Sequence, residues 1–315
     1  MVEFNEREDR IMNRNIRTAV IGMDTSHAVE FPKYIQDPAQ DAATHVPGMT
    51  VTRALRFETP FQNAEGLDAR QAYLESIGVK VTEDFDEAVA DCDAVFLEIN
   101  DPSLHLPYFR KCAKLGKPVF LDKPFAATLA ETNEILRIAA ANKVRFFTAS
   151  SLRYDADVEH AAAAFPSPEF THVWGPLGKA AAGSSVVWYG VHSFEMLEKL
   201  MGPGALNVSG IRDQRGAVFS VSYPDGRRGI VELSENCGRY GGVLRRGKEM
   251  LTYQAGRSEL YPNLIGQIGA FFRGEQEGVP LAESYEIMAM LEAAEKSIAS
   301  GHAEEVRPIP PEFVR

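Results

Sequence analysis

Asp122-Lys123-Pro124 closes the short apolar run VFL at Val119 to Leu121. A lysine at the carboxyl end of a strand, beside a proline that fixes the chain, is placed to face a crevice. Its ammonium can hydrogen-bond a hydroxyl or carbonyl oxygen and steady the charge that develops as a hydride moves. By itself it reads equally as a solvated surface lysine. Further on, Trp188 to Glu195 reads WYGVHSFE. His192 and Glu195 are three apart, hence on one helical face. An imidazole that titrates near ~6.5 serves as acid, base or hydroxyl-binding group, with Tyr189 or Glu195 able to assist. HxxE with no further clustered ligand is poor metal-site spacing, and no metal is expected. A capped helix start with a satisfied His–Glu pair is the plain alternative.

A second set of candidates lies near the start of the chain. Ile16 to Ile21 (IRTAVI) runs into Gly22-Met23-Asp24-Thr25-Ser26-His27. A strand ending in a glycine before a helix is where dinucleotide folds hold a pyrophosphate, commonly with the pattern G-x-G-x-x-G. Here only the first glycine stands; Asp24 takes the second position and His27 the third. A carboxylate at Asp24 repels a diphosphate unless it points away. If it faces the phosphates, Asp24→Gly tightens binding. The alternative is that Asp24, Thr25 or Ser26 caps the helix. Arg56-Phe57-Glu58, at the end of the second strand, should meet an adenosine ribose. Glu58 there favours NAD and Arg56 could take the 2′-phosphate of NADP; both stay open. His105 follows the fourth strand, on the ligand-binding side of such sheets, facing either a ligand or solvent.

The elements that must position these residues alternate. Val51 to Phe57, Val79 to Val81, Ala94 to Ile99, Val119 to Leu121 and Val144 to Thr148 have strand character. Between them lie helix-like stretches. Asp84 to Ala90 opens with Asp84 three residues before Glu87, a capping spacing. Leu104 to Leu115 stops at Gly116, and Leu129 to Asn142 follows. Such alternation means right-handed βαβ units and a doubly wound parallel sheet over residues 1–149. Residues 150–315 read as an α+β domain. Leu206 to Ile211, Ala217 to Tyr223 and Gly229 to Leu233 suggest an open, mainly antiparallel meander turning at Pro224-Asp225-Gly226. Val191 to Leu200 and Leu281 to Ser300 read as helices, the latter with Ile287, Met290, Leu291, Ala294 and Ile298 at helical spacing.

The bulk numbers fit this plan. The chain has 315 residues, enough for two domains at ~100–200 residues each. Apolar residues make up 45% and charged residues 24%, which argues against disorder. No apolar run approaches the ~20 residues of a membrane helix. The charged start, Met1 to Arg10, lacks a signal-peptide centre, so a cytoplasmic protein is expected. A net charge of −11 opposes nucleic acid and anionic lipid as partners. Cys92, Cys112 and Cys237 are scattered without CxxC spacing and read as buried structural thiols.

Together the motifs resemble the Gfo/Idh/MocA oxidoreductases, a family that includes glucose–fructose oxidoreductase and inositol dehydrogenases. The resemblance rests on the stretch from Ala94 to Pro124, with its Asn/Pro loop, its histidine and its D-K-P tripeptide. It extends to Ser151-Leu152-Arg153-Tyr154, similar to a family segment in which an Arg pairs with an aromatic, and to the helix ESYEIMAMLEAAEKSIASG. It implies a Rossmann domain holding NAD or NADP, with Asn100, Pro102, His105, Asp122 and Lys123 joining Gly22 to His27 as cofactor contacts. It also implies Lys123 as the catalytic lysine, His192 beside the reacting hydroxyl, a sugar-like or polyol substrate, and a homodimer or homotetramer.

The departures concern the site itself. Asp122 stands for the family's Glu, Trp188 for the Asp of its D-x-x-x-H motif, and Glu195 for an Asp. The glycine loop is altered as described. Three functions follow from the same scaffold: a nicotinamide-dependent oxidoreductase, favoured by the family pattern; a non-redox lyase, isomerase or hydrolase of sugar derivatives; and a catalytically silent binding protein.

Overall fold

The computed structural model describes residues 15–257 and 259–314. None of its helices is long and apolar enough to cross a membrane. The charged start read at Met1 to Arg10 lies outside the described residues.

Two compact units divide the chain. The first is built from residues 1–122, 137–147 and 261–278, the second from residues 123–136, 148–260 and 279–315. The single boundary drawn after residue 149 therefore differs from a division in which the chain returns. Physical cause lies in the helix Leu260–Arg273: Phe271 packs on Phe147 and Phe272 on Phe96, both residues of the first unit.

The first unit holds a six-stranded parallel sheet in the order β3-β2-β1-β4-β5-β6. The strands are β1 (Ile16–Ile21), β2 (Met49–Leu55), β3 (Lys80–Thr82), β4 (Ala94–Leu97), β5 (Val119–Leu121) and β6 (Phe146–Phe147). Every residue of β4 and β5 is buried, as expected for parallel strands covered on both faces. Order reverses between β1 and β4, so the carboxyl ends of those two strands form the switch point where open sheets take ligands. Helices α1 (His27–Gln36), α2 (Ala64–Ser76), α3 (Phe85–Val89) and α4 (His105–Ala113) fill the connections. Asp84 caps α3 through the Glu87 amide at 2.8 Å, as its spacing predicts. Gly116, at φ 63°, ends the turn after α4.

Boundaries differ where the backbone leaves the ladder. The expected strand Ala94 to Ile99 stops at Leu97, and Val144 to Thr148 shrinks to two residues. The second strand begins and ends two residues early, and the third slides by one. Leu104 to Leu115 becomes a single 3-10 turn, Pro102–Leu104, followed by α4.

In the second unit a seven-stranded sheet runs β12-β11-β7-β10-β9-β8-β13. Its members are β7 (Phe170–Pro176), β8 (Asn207–Asp213), β9 (Gly216–Ser222), β10 (Arg228–Ser234), β11 (Tyr240–Arg246), β12 (Glu249–Ala255) and β13 (Glu304–Glu305). The expected meander is β8-β9-β10, antiparallel throughout. The sheet is mixed, because β7 pairs with β10 in parallel. The later helices of the chain are α5 (Leu129–Asn142), α6 (Ala156–Ala164), α7 (Ser185–Trp188), α8 (Val191–Met201), α9 (Leu260–Arg273) and α10 (Leu281–Ser300), of which α8 and α10 pack on one face of this sheet. Alternating residues of the strands carry that core, Val173, Phe219, Val221, Val231 and Leu233 among them. Cys92 and Cys112 are buried; Cys237 is only half-buried, in the turn after β10, so its reading as a core thiol is corrected.

Burial in this unit takes in carboxyl groups. Glu198 on α8 is 1% exposed. Burial holds its carboxyl well above the ordinary value, and Glu286 and Glu283 push it the same way. The folded state thus binds that proton more tightly than the unfolded chain, whose carboxyl titrates near ~4.3. Stability from this group is present below that value and is lost as pH rises through the raised folded value. Glu198→Gln should therefore melt a few degrees above the wild type near pH 7.5, with the gap closing as pH falls toward ~4.5. Thermal melts at the two pH values check this, and a pH-independent difference contradicts it.

Candidate active site

Gly22 ends β1 with φ 100°, a conformation only glycine adopts without strain. A Cβ there would stand 2.5 Å from the Glu98 carbonyl oxygen and 2.8 Å from Ile99 Cγ1. The surviving glycine of the loop is therefore fixed by close backbone approach at the switch point.

Asp24, at the second glycine position, is buried and turned away from the loop's outer edge. Its Oδ1 accepts from the Asn100 amide at 2.7 Å; its Oδ2 accepts from the Thr59 hydroxyl at 2.8 Å and the Asp101 amide at 3.3 Å. Burial raises its pKa, and these three donors oppose the shift. Of the two orientations left open for Asp24, these bonds fit the one that points away: the carboxylate ties the β1–α1 loop to the loop after β4.

His27, at the third position, has its ring stacked on Phe31 with centroids 4.9 Å apart, and its Nδ1 lies 3.0 Å from Asp122 Oδ1. Glu98 Oε2 is 3.6 Å away. His27, Glu98 and Asp122 are the one group of His, Asp and Glu among the described residues whose ligand-type atoms lie within 4.8 Å of one another. The His27–Asp122 hydrogen bond accounts for its compactness. Asp122 is thereby buried against His27.

Of the residues read as possible caps of α1, Thr25 reaches the first helical amide and Ser26 does not. Ser26 occupies the cap position without a side-chain bond, and Thr25 Oγ1 accepts from the His27 amide at 3.3 Å. Ser26 is exposed while Met23 and Thr25 are buried. The carbonyls of Met23 and Thr25 both accept from Arg70 of α2, a residue with no motif around it in the sequence.

His105 does not face solvent. It is fully buried, with Nε2 2.6 Å from the Ile99 carbonyl, and so braces the Asn100–Leu104 loop. Pro102 is buried in that loop, whereas Asn100 is partly exposed. At the end of β2, Arg56 is engaged by Asp68 at 2.5 Å and Gln71 at 2.6 Å, and Glu58 is exposed.

Lys123 belongs to the second unit. It lines a pocket with Thr148, Glu195 and Ser284, over an apolar wall of Phe125, Val191, Ile287 and Met288. Glu195 is buried, which pushes its pKa up to about 7 against the pull of Arg153, the Ser150 amide and Lys123. Arg153 lies between two carboxylates, ion-paired to Glu283 and 3.9 Å from Glu195 Oε1.

The alternative of a His192–Glu195 pair is not what the described residues show. His192 Nδ1 lies 2.7 Å from the Ser150 hydroxyl, and Glu195 Oε2 accepts from the Ser150 amide at 2.7 Å. Tyr189 and Tyr240 set their rings edge-on to His192 at 5.3 and 5.8 Å, and Trp188 leans on Tyr189. The helix start at Gly190 has no side-chain cap. Two buried polar atoms at the pocket, Glu195 Oε1 and Ser284 Oγ, have no hydrogen-bond partner among the described residues. Such atoms are what a polar ligand satisfies. Ser284, Thr148, Ser150 and Arg153's bridging role lay outside the expected set. Ser150 directly precedes the SLRY segment, the nearest signal available.

A sequence-family model, Gfo/Idh/MocA, described as an oxidoreductase family with an NAD-binding Rossmann fold, matches residues 16–150. Residues 16–150 are a Gfo/Idh/MocA-family domain. Its class is an NAD-binding oxidoreductase. The second half extends the likeness at the level of fold. The WlbA dehydrogenase of Bordetella pertussis, solved with NADH and UDP-GlcNAcA, superposes with a TM-score of 0.76 at 15% identity, over 94% of this chain and 99% of its own. Scyllo-inositol dehydrogenase of Lactobacillus casei, solved with NAD(H) and scyllo-inositol, gives 0.75 at 14% identity over 93% and 99%. No curated protein matches the sequence significantly.

Within this Gfo/Idh/MocA domain the altered loop is a bonded replacement for the glycine pattern. Asp24→Gly should lower the melting temperature, because two buried amides and a hydroxyl lose their acceptor. It should also weaken NADH binding rather than tighten it. Calorimetric titration of both proteins checks the direction; tighter binding by the variant would place Asp24 against the phosphates.

Proposed function

We propose that the protein is an NAD-dependent dehydrogenase that moves a hydride between the nicotinamide and a hydroxyl-bearing carbon of a sugar-like or polyol substrate. The observation that carries this reading is the pocket of the second unit, where Lys123 lines the same wall as Glu195 and Ser284. The family match supplies the cofactor class, and the inositol and sugar-nucleotide ligands of the structural neighbours support the substrate class.

The residues of the first unit fit a dinucleotide. Gly22 leaves the close backbone turn that a pyrophosphate needs, Asp24 is bonded away, and the exposed Ser26 opens α1. Arg56 is held by Asp68 and Gln71 while Glu58 is exposed, which favours a ribose with a free 2′-hydroxyl and hence NAD over NADP. The bound cofactor would supply the hydride acceptor or donor.

The remaining chemistry falls to side chains of the second unit. Lys123 hydrogen-bonds the reacting oxygen and steadies its charge as the C–O bond order changes. His192 takes the hydroxyl proton in oxidation and returns it in reduction. Glu195, titrating near 7, and Ser284 receive the neighbouring hydroxyls of a polyol. Copies of the chain would associate through the open face of the second sheet, where Phe170, His172 and Trp174 of β7 are half-buried and Ile211 of β8 is 77% exposed.

Calorimetry with NADH and NADPH tests the cofactor, with micromolar NADH binding and weaker NADPH binding expected. A screen of polyols and sugars with NAD tests the reaction. Lys123→Ala should cut turnover about 100-fold or more with the NADH affinity little changed. An unchanged rate removes Lys123 from the chemistry, and no binding of either nucleotide turns the search to non-redox sugar chemistry.

A further inference from the structure

A histidine that exchanges protons at one ring nitrogen needs the other held, because an imidazole free to rotate offers the wrong nitrogen or the wrong tautomer for part of the time. The partner of His192 Nδ1 is the Ser150 hydroxyl, 2.7 Å away. Ser150 is itself immobilised three times over. It is fully buried. Its Oγ accepts from the Leu152 amide at 3.2 Å, as the cap of the 3-10 turn Ser151–Tyr154. Its own amide donates to Glu195 Oε2 at 2.7 Å. One residue thus touches both titratable groups that α8 presents one turn apart, the imidazole through its side chain and the carboxylate through its backbone.

We propose that Ser150 is the positioning residue of His192, whose hydroxyl holds the ring by Nδ1 so that protons are exchanged at Nε2. This rests on the dehydrogenase reading for its catalytic meaning but not for its geometry. A hydroxyl differs from a carboxylate in this position. It carries no charge and can either donate to a bare Nδ1 or accept from a protonated one. Nδ1 keeps its hydrogen, donated to the Ser150 hydroxyl, both in the imidazolium that gives up the Nε2 proton and in the neutral ring whose bare Nε2 takes one. Those are the two states that reduction and oxidation of a substrate need in turn. Glu195, one turn further along α8, accepts from the Ser150 amide through Oε2.

The geometry also separates the two links experimentally. Ser150→Ala deletes the hydroxyl and its bond to His192 but keeps the amide that binds Glu195. The decisive measurement is nitrogen-detected NMR of the His192 ring, assigned by its loss in His192→Asn, in the wild type and in Ser150→Ala without substrate or cofactor. The wild type should show a ring with hydrogen-bonded Nδ1, and Ser150→Ala the averaged ring-nitrogen shifts of a freely rotating imidazole. Ser150→Thr, which keeps hydroxyl and amide, should restore the wild-type spectrum. Freely averaged tautomers in the wild type, or identical spectra in wild type and Ser150→Ala, overturn the proposal. The wild-type spectrum decides it even where the alanine variant fails to fold.

Turnover gives the second readout. Ser150→Ala should lower kcat about 10- to 100-fold with KM nearly unchanged, and add no further loss in a His192→Ala background. A full additional loss in that background overturns the proposal. Absence of any dehydrogenase activity in the wild type defeats the functional reading alone, because the ring spectra are recorded without turnover.

Discussion

A carboxylate taken out of water must be met by donors or hold its proton, and both units are arranged around groups under that constraint. In the second unit the group is Glu195. Arg153 approaches one oxygen and the Ser150 amide binds the other, yet burial still lifts the carboxyl to about 7. Removing Arg153 would leave Glu195 and Glu283 facing each other without their shared cation. The placement of Ser150, and through it of His192, follows from satisfying that one buried acid. Glu198 and Glu286, on α8 and α10, have their carboxyl pKa values raised, burial being the largest cause in both.

In the first unit the constrained group is Asp24. Its two oxygens gather the Asn100 and Asp101 amides and the Thr59 hydroxyl, closing the gap between the ends of β1 and β4. Arg70 gathers the carbonyls on the other side of the same loop. A glycine-rich loop leaves its backbone groups to the ligand; this loop satisfies much of its polarity internally and is correspondingly rigid. His27, which looks too large for a position where helix meets strand, is accommodated because its ring finds Phe31 and Asp122 between the strand ends.

Much of the site's location was legible in the residues, though its wiring was not. Lys123 beyond VFL, and His192 with Glu195 at a spacing of three, are local signals, and both sit on the second unit's pocket side or helix as that spacing implies. His105 shows the limit. Its position after β4 is what a ligand-binding histidine would have, but its ring turns inward to the Ile99 carbonyl, a choice set by the path of the Asn100–Leu104 loop. The His192–Glu195 pair fails for a related reason. Residues three apart share a face, but what stands between them comes from a segment more than forty residues earlier: Ser150 meets His192 through its hydroxyl and Glu195 through its amide.

The sequence by itself determined the strand and helix order, because buried parallel strands must be short apolar runs and their helices must be capped and stopped by residues such as Asp84 and Gly116. It determined the acidic surface, the family pattern and the identity of the lysine, histidine and acid available for chemistry. Tertiary structure alone decided where Asp24 points, that Arg56 is spent on Asp68 and Gln71, that Phe271 and Phe272 return to the first unit's core, and that Ser150 stands between His192 and Glu195. The reason is the same in each case. Spacing along a chain specifies which side chains share an element, whereas the partner of a buried polar group is whatever the packing of distant segments brings within hydrogen-bonding reach.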